Sequence, residues 1–264
     1  MPTVRTVNAT RYVTPLREGG SLPAIVEADD DELYVLKFRG AGQGPKALIA
    51  ELVVGEIGRP LGLPVPEIVF VALDPLLGAA EPDPEIKDLV VGSAGLNLGL
   101  DYLPGALAFD PLGAAGAGLD PLLASSVVWF DAYVTNVDRT PRNPNLLLWH
   151  RRLWLIDHGA ALYVHYTWTD PAPRSRDPFA RIKDHVLLSE ASALAEADAV
   201  LSARLDPTLL REIVDLIPDD WLGDEPAFPD QAAHRTAYVD YLVGRLEAPR
   251  RFVEEAVDAR AQSV

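Results

Sequence analysis

The chain has 264 residues, 48% of them hydrophobic and 23% charged, with no cysteine and a formal net charge of −16 at pH 7. That length suits one large domain or two small ones, and the composition is that of a globular chain, not a disordered one. Lack of cysteine excludes disulfides, thiol nucleophiles and thiolate-bound zinc, while the carboxylate excess disfavours nucleic acid and anionic membrane surfaces as partners.

The opening stretch MPTVRTVNATRYVTPL has no apolar core before a small-residue cleavage site. Asp101, Asp110, Asp120 and Asp131 interrupt the most apolar regions. The sequence therefore predicts neither a signal peptide nor a membrane span, and a cytoplasmic location.

Short β-prone runs come first, RYVTPL and PAIVEAD, separated by the turn REGGS. ELYVLKF follows an acidic turn at Asp29–Asp31 and carries Lys37, one of only four lysines. A helix follows the RGAGQG loop, with Pro45 at its first position and Pro60 and Pro64 beyond its end. Leu48, Ile49, Leu52, Val53 and Ile57 form its expected core face. Ala47, Glu51, Gly55 and Gly58 form a stripe of small residues in which Glu51 alone is large. PEIVFVALD, EIKDLVV and LNLGLDYLP read as further strands. GALAFDPLGAAGAGLDP reads as a flexible connection.

From residue 105 the pattern turns helical. Asp120 and Pro121 signal the start of a helix over LLASSVVWFDAYV. DPTLLREIVDLI and AAHRTAYVDYLVGRLEAPRRFVEEAV are later helical segments. The expected class is α+β and bilobal, with a β-rich lobe over residues 1–104 and a helical lobe over 105–264, the ligand lying between them.

The segment NVDRTPRNPNLLLWHRRLWLIDHG, residues 136–159, carries the most chemistry. NLLLW and RLWLI form a hairpin about a turn at His150 and Arg151, pairing positions whose numbers sum to about 301. Asn145 then lies opposite Ile156, and Asn143 lies near Asp157. Two oxygen donors so placed suit a hard cation such as Mg²⁺. Asp138 stands on the loop leading in, five residues before Asn143. An Asp, an Asn five residues on and an Asp before Gly is the spacing used in phosphoryl transfer by kinases. Asp138 would orient or deprotonate an attacking hydroxyl, and Asn143 and Asp157 would hold Mg²⁺. Taken singly, each of these residues also suits an ordinary turn.

Lys37 would supply positive charge to nucleotide phosphates, and Glu51, rather than Glu56, would pair with it. Gly19, Gly20 and Ser21 of the REGGS turn would present bare N–H groups to phosphate. The backbone at Asp101 and Leu103, in GLDYLPG, would read an adenine edge. Gly40, Gly42 and Gly44 suggest a dinucleotide loop, with Asp74 as a ribose ligand, but lack the G-x-G-x-x-G spacing. The five histidines read as structural or surface residues.

YVLKF, AELVVGEIGRPLGLPVPE, NVDRTPRNPN and LIDHG together resemble the HipA-like kinases and, more distantly, the type II phosphatidylinositol 4-kinases. The resemblance spans most of residues 12–160. It implies a bilobal protein-kinase-like fold, with ATP and Mg²⁺ as cofactors. It places Lys37 on the nucleotide phosphates, Glu51 beside it, Asp138 as the catalytic aspartate, and Asn143 and Asp157 on the metal. The expected function is transfer of the γ-phosphoryl group to a hydroxyl, with a protein Ser/Thr ranked ahead of lipid headgroups and small molecules. Two alternatives stay open: a kinase-like module that binds nucleotide or a partner without transfer, and a nicotinamide-dependent enzyme using GAGQG.

Overall fold

Alternation of inward and outward side chains shapes the first hundred residues into a barrel. The computed structural model describes residues 2–16, 22–42, 44–79, 81–111 and 119–263. Strands β1 (Thr6–Pro15), β2 (Ala24–Ala28), β3 (Leu33–Lys37), β4 (Ile68–Leu73) and β5 (Gly95–Asp101) close in the order β1-β2-β3-β5-β4. Only the β1–β4 pair is parallel, and it uses Thr6–Asn8, which the sequence reading had left outside the first strand. Closure removes the exposed strand edges. On β3, Tyr34 and Leu36 turn into a core shared with Val7, Val26, Val69 and Val71. Val35 and Lys37 occupy the other face, at the wall of a cleft. Lys37 therefore shares its face with Val35 and not with Tyr34.

Helix α1 (Pro45–Gly58) starts with Pro45 as expected, but it has no solvent face: every residue from Leu48 to Gly58 is buried. The small residues explain how neighbours approach so closely. A Cβ at Gly55 would lie 2.4 Å from Ile68 Cδ1, and one at Gly58 would lie 3.0 Å from Val65 Cγ2. β4 is buried on both faces as a result.

EIKDLVV is not a strand. It is helix α2 (Pro84–Gly92), with Asp83 accepting from Glu85 N at 3.0 Å and Pro84 in the first turn. Ile86 and Val90 lie one turn apart and bury against the barrel core. The cap and the four-residue spacing outweigh the strand propensity of the valines.

Helix α3 (Pro121–Tyr133) begins at the expected Asp120 cap and is buried along most of its length. The expected flexible connection contributes a short strand, β6 (Leu107–Ala108), which pairs with β7 (Leu146–Trp149). β7 in turn pairs with β8 (Arg152–Leu155) in the register Leu146↔Leu155 to Trp149↔Arg152, whose numbers sum to 301. His150 (φ 49°) and Arg151 (φ 63°) both take left-handed backbone, as the tightest two-residue hairpin turn requires.

The remaining helices are α4 (Pro171–Arg174), α5 (Leu194–Ser202), α6 (Pro207–Val214), α7 (Asp219–Leu222), α8 (Gln231–Leu246) and α9 (Arg251–Ser263). The last long helical run is thus two helices, parted at Pro249, which has no N–H to continue the ladder. One apolar core unites α1, the outer face of β4 and β5, α3 and all of these helices but α4. The architecture is α+β.

Candidate active site

A cleft of about 760 Å³ opens between the barrel and the β7–β8 hairpin. Val35, Lys37 and Leu100 line it from the barrel, and Asp138, Asn143 and Asp157 from the hairpin side. Asp101 and Leu103, at the end of β5, line it too. Gly19, Gly20 and Ser21 lie outside the described residues; Pro15, Leu16 and Pro23, which flank that segment, are in the cleft wall. Gly40 instead packs on the end of α2, its N–H donating to Ser93 Oγ at 3.1 Å, and is not part of the lining.

Lys37 is held at the cleft wall by carboxylates from two distant parts of the chain. Its Nζ donates to Glu51 Oε2 at 2.7 Å and also to Asp157 Oδ1. Glu51 is fully buried, whereas the Asp157 side chain is 46% exposed. The second helix glutamate, Glu56, is buried and lies 3.6 Å from Arg59 instead. Glu51 also accepts from the His158 main-chain N–H at 2.8 Å, and its Oε1 lies 3.2 Å from His158 Nδ1. One buried carboxylate thereby fixes both the lysine and the turn that carries Asp157. Burial works against the charge of Glu51, but Lys37 and His158 outweigh it, lowering its pKa to about 2.

Small residues at Ala47 and Gly159 make this contact possible. A Cβ at Gly159 would lie 3.5 Å from Ala47 O and 3.8 Å from Glu51 Oε2, so the Asp-His-Gly turn rests directly on α1. Lys46 secures the same helix end, donating to His165 O at 2.7 Å and pairing with Glu225 at 2.9 Å. At the hairpin base, Asn145 (φ 49°) and Asp157 (φ 57°) both sit in left-handed backbone. Asn and Asp tolerate that region better than other non-glycine residues.

Across from this cluster, Asn143 Nδ2 donates to Asp138 Oδ2 at 2.7 Å. The Asp138 N–H donates to Asn136 Oδ1 at 3.1 Å, and Thr140 and Asn143 form a small β-bridge that closes the loop. Burial and the neighbouring Asp157 charge raise the Asp138 pKa above the ordinary carboxylate value.

Beneath the loop lies a charge cluster that the sequence reading missed. Fully buried Asp131, on α3, accepts from Asn136 Nδ2 at 3.0 Å and from Arg139 Nε at 2.6 Å, and its Oδ2 lies 2.8 Å from His185 Nε2. Arg139 continues to the carbonyls of Asn145 and, at 3.3 Å, Ile156, so it ties the loop to both strands of the hairpin. Burial opposes ionisation of Asp131, yet Arg139 and His185 drive its pKa far below normal. The available signal was one acid inside the apolar run VVWFDAYV, five residues before Asn136. His158, one of the histidines expected to be structural or surface residues, is fully buried as a partner of Glu51.

Among the described residues no three His, Asp or Glu side chains gather as a metal-binding group. The oxygen donors Asp157 and Asn143 nevertheless suit Mg²⁺, which keeps waters and substrate phosphates and needs only one or two carboxylates.

The chain matches the HipA-like kinase family over residues 10–253 and belongs to that family. It is therefore a kinase-like phosphotransferase by family. Among solved structures, the Helicobacter pylori proinflammatory kinase CtkA is similar in fold, with a TM-score of 0.58 and 13% identity over 100% of both chains. A Golgi casein kinase solved with Mn and ADP matches at a TM-score of 0.47 and 12% identity, over 97% of this chain and 73% of that one. No functionally curated protein matches the chain. Among the described residues no helix is long and apolar enough to cross a membrane.

Proposed function

We propose that the protein transfers the γ-phosphoryl group of ATP, with Mg²⁺, to a hydroxyl acceptor, a protein Ser or Thr ranking first. In this reading residues 1–104 and 105–264 act as the two lobes of a bilobal kinase-like arrangement around the cleft. The observation that carries it is the convergence of Lys37, Glu51 and Asp157, from β3, α1 and the end of β8, on a cleft that also holds Asp138 and Asn143.

The electrostatics of that corner favour a metal–phosphate complex. One ammonium, Lys37, stands among three carboxylates, Glu51, Asp138 and Asp157, so a bare polyphosphate would be repelled far more strongly than its complex with a divalent cation. Asp157 and Asn143 would hold Mg²⁺, which neutralises charge on the phosphates when bound. Lys37, kept extended by Glu51, places its positive charge on the phosphate oxygens. Asp138 lies where it can orient the acceptor hydroxyl and take its proton as the oxygen bonds to phosphorus and the bond to ADP breaks. Its raised pKa makes it a better base than an ordinary carboxylate. The cleft wall at Asp101 and Leu103 offers main-chain groups for the adenine edge.

The test is incubation with labelled ATP and Mg²⁺, alone and with cell extract, followed by identification of the labelled product. Transfer by the native protein and its loss in Asp138→Asn is the expected result. Label transfer that is unchanged by that substitution would contradict the assignment.

A further inference from the structure

A second cavity, of about 370 Å³, lies on the far side of the catalytic loop, and the phosphoryl-transfer chemistry does not use it. Its volume is within the ~300–1,000 Å³ range of ligand pockets. Thr135 and Val137 form one wall, so the cavity starts at the residue before Asp138. Val164 and Phe179 supply buried apolar surface, and Arg174 and Arg181 supply the charge.

Three observations mark this cavity as a site and not a packing fault. Thr135 takes φ 54°, a conformation that a β-branched residue rarely adopts, and its buried Oγ1 has no hydrogen-bond partner among the described residues. Neither Arg174 nor Arg181 takes part in an ion pair among the described residues, and the neighbouring Asp177 is the one carboxylate in the lining. Arg245 adds a third guanidinium at the floor, spending its donors on the main-chain carbonyls of Ala132, Tyr133, Ser175 and Asp177. Three cations against one anion, in a chain of net charge −16, is a local reversal of sign.

We infer that this cavity docks the acceptor protein, taking an apolar side chain of a segment whose neighbouring residues are acidic. This rests on the phosphotransferase reading and adds the substrate class to it. The apolar walls bury the anchor, and Arg174 and Arg181 pair with the flanking carboxylates. Because Val137 adjoins Asp138, an anchored segment is delivered beside the catalytic loop.

The test uses two fluorescent serine peptides carrying the same apolar residue, one flanked by glutamates and the other by lysines, with binding read by anisotropy. Native protein should bind the acidic peptide at least tenfold more tightly, and the double variant Arg174→Glu, Arg181→Glu should abolish or reverse that preference. Replacing the apolar residue by glycine in the acidic peptide should weaken binding about as much. ATP hydrolysis without peptide should be unchanged in the double variant, which also shows that it folds. Equal binding of both peptides, or a preference untouched by the double variant, overturns the docking site and leaves the kinase reading standing. Charge-selective binding in a protein that never turns over ATP supports the cavity and overturns phosphotransfer.

Discussion

Two charge clusters flank the loop from Asn136 to Asn145, built from the same kinds of residue and differing in one respect. Asp131, Arg139 and His185 form a closed set in which every carboxylate oxygen is taken and no member reaches solvent. Lys37, Glu51 and Asp157 form an open set: Glu51 is sealed, but Asp157 faces the cleft. The closed cluster can only hold parts together. The open one leaves a carboxylate and an ammonium available to something that enters.

That contrast predicts opposite outcomes for two aspartate substitutions. Asp131→Ala strands a buried guanidinium, and losing one partner of a buried pair costs about 3–5 kcal/mol. Urea unfolding should show that loss, with activity per folded molecule falling because the loop is no longer tied. Asp157→Asn keeps a residue that tolerates the left-handed backbone and removes only an ion pair whose carboxylate is half exposed, so its stability cost should be at most about 1 kcal/mol. Equal destabilisation by the two would erase the distinction.

Glu51→Gln sharpens the comparison from the open side. The amide keeps the shape but loses the charge that positions Lys37, so turnover should drop by about 10²-fold, the scale of losing one electrostatic contact to the transition state. Lys37→Met should give a similar loss, and the double variant little more, because the two act as a unit. Additive losses in turnover assays would contradict that coupling.

The remaining prediction concerns pH. Glu51 has a folded pKa of about 2 against an ordinary value of 4.5, so its contribution to stability is present above pH 4.5 and lost as pH falls towards 2. Asp131 acts in the same direction at still lower pH. His165 and His234 are buried neutral, with pKa values lowered to about 3 and about 4 from 6.5, so their proton uptake favours the unfolded chain below pH 6.5. Unfolding free energy should therefore decline in two stages on acidification, and Glu51→Gln should flatten only the lower stage. A single stage in denaturation curves from pH 7 to 3 would argue against the separation.

How much of this was legible in the sequence depends on how local the cause is. The β7–β8 register follows from a period of two and a two-residue turn, and the pairing sum of 301 could be read before any fold was known. The choice of Glu51 over Glu56 to meet Lys37 came from the small residues around it, of which Ala47 meets the Asp-His-Gly turn while Gly55 and Gly58 admit Ile68 and Val65. α2 was misread because strand propensity in its valines concealed the helix cap at Asp83. α1 has no exposed face, so dividing it into core and surface stripes described only part of its surroundings. The Asp131 cluster joins α3, the loop at Asn136 and Arg139, and residue 185, and no local pattern reports a contact across 54 positions.

In the proposed function Asp157 exposes its carboxylate to hold a metal–nucleotide complex beside Lys37. Calorimetric titration of ATP into native protein and into Asp157→Ala, each with and without Mg²⁺, tests it most directly. Mg²⁺-dependent binding is expected in the native protein and loss of that dependence in the variant, with the fold intact by circular dichroism. Binding that is equally strong and equally Mg²⁺-dependent in both proteins would contradict it.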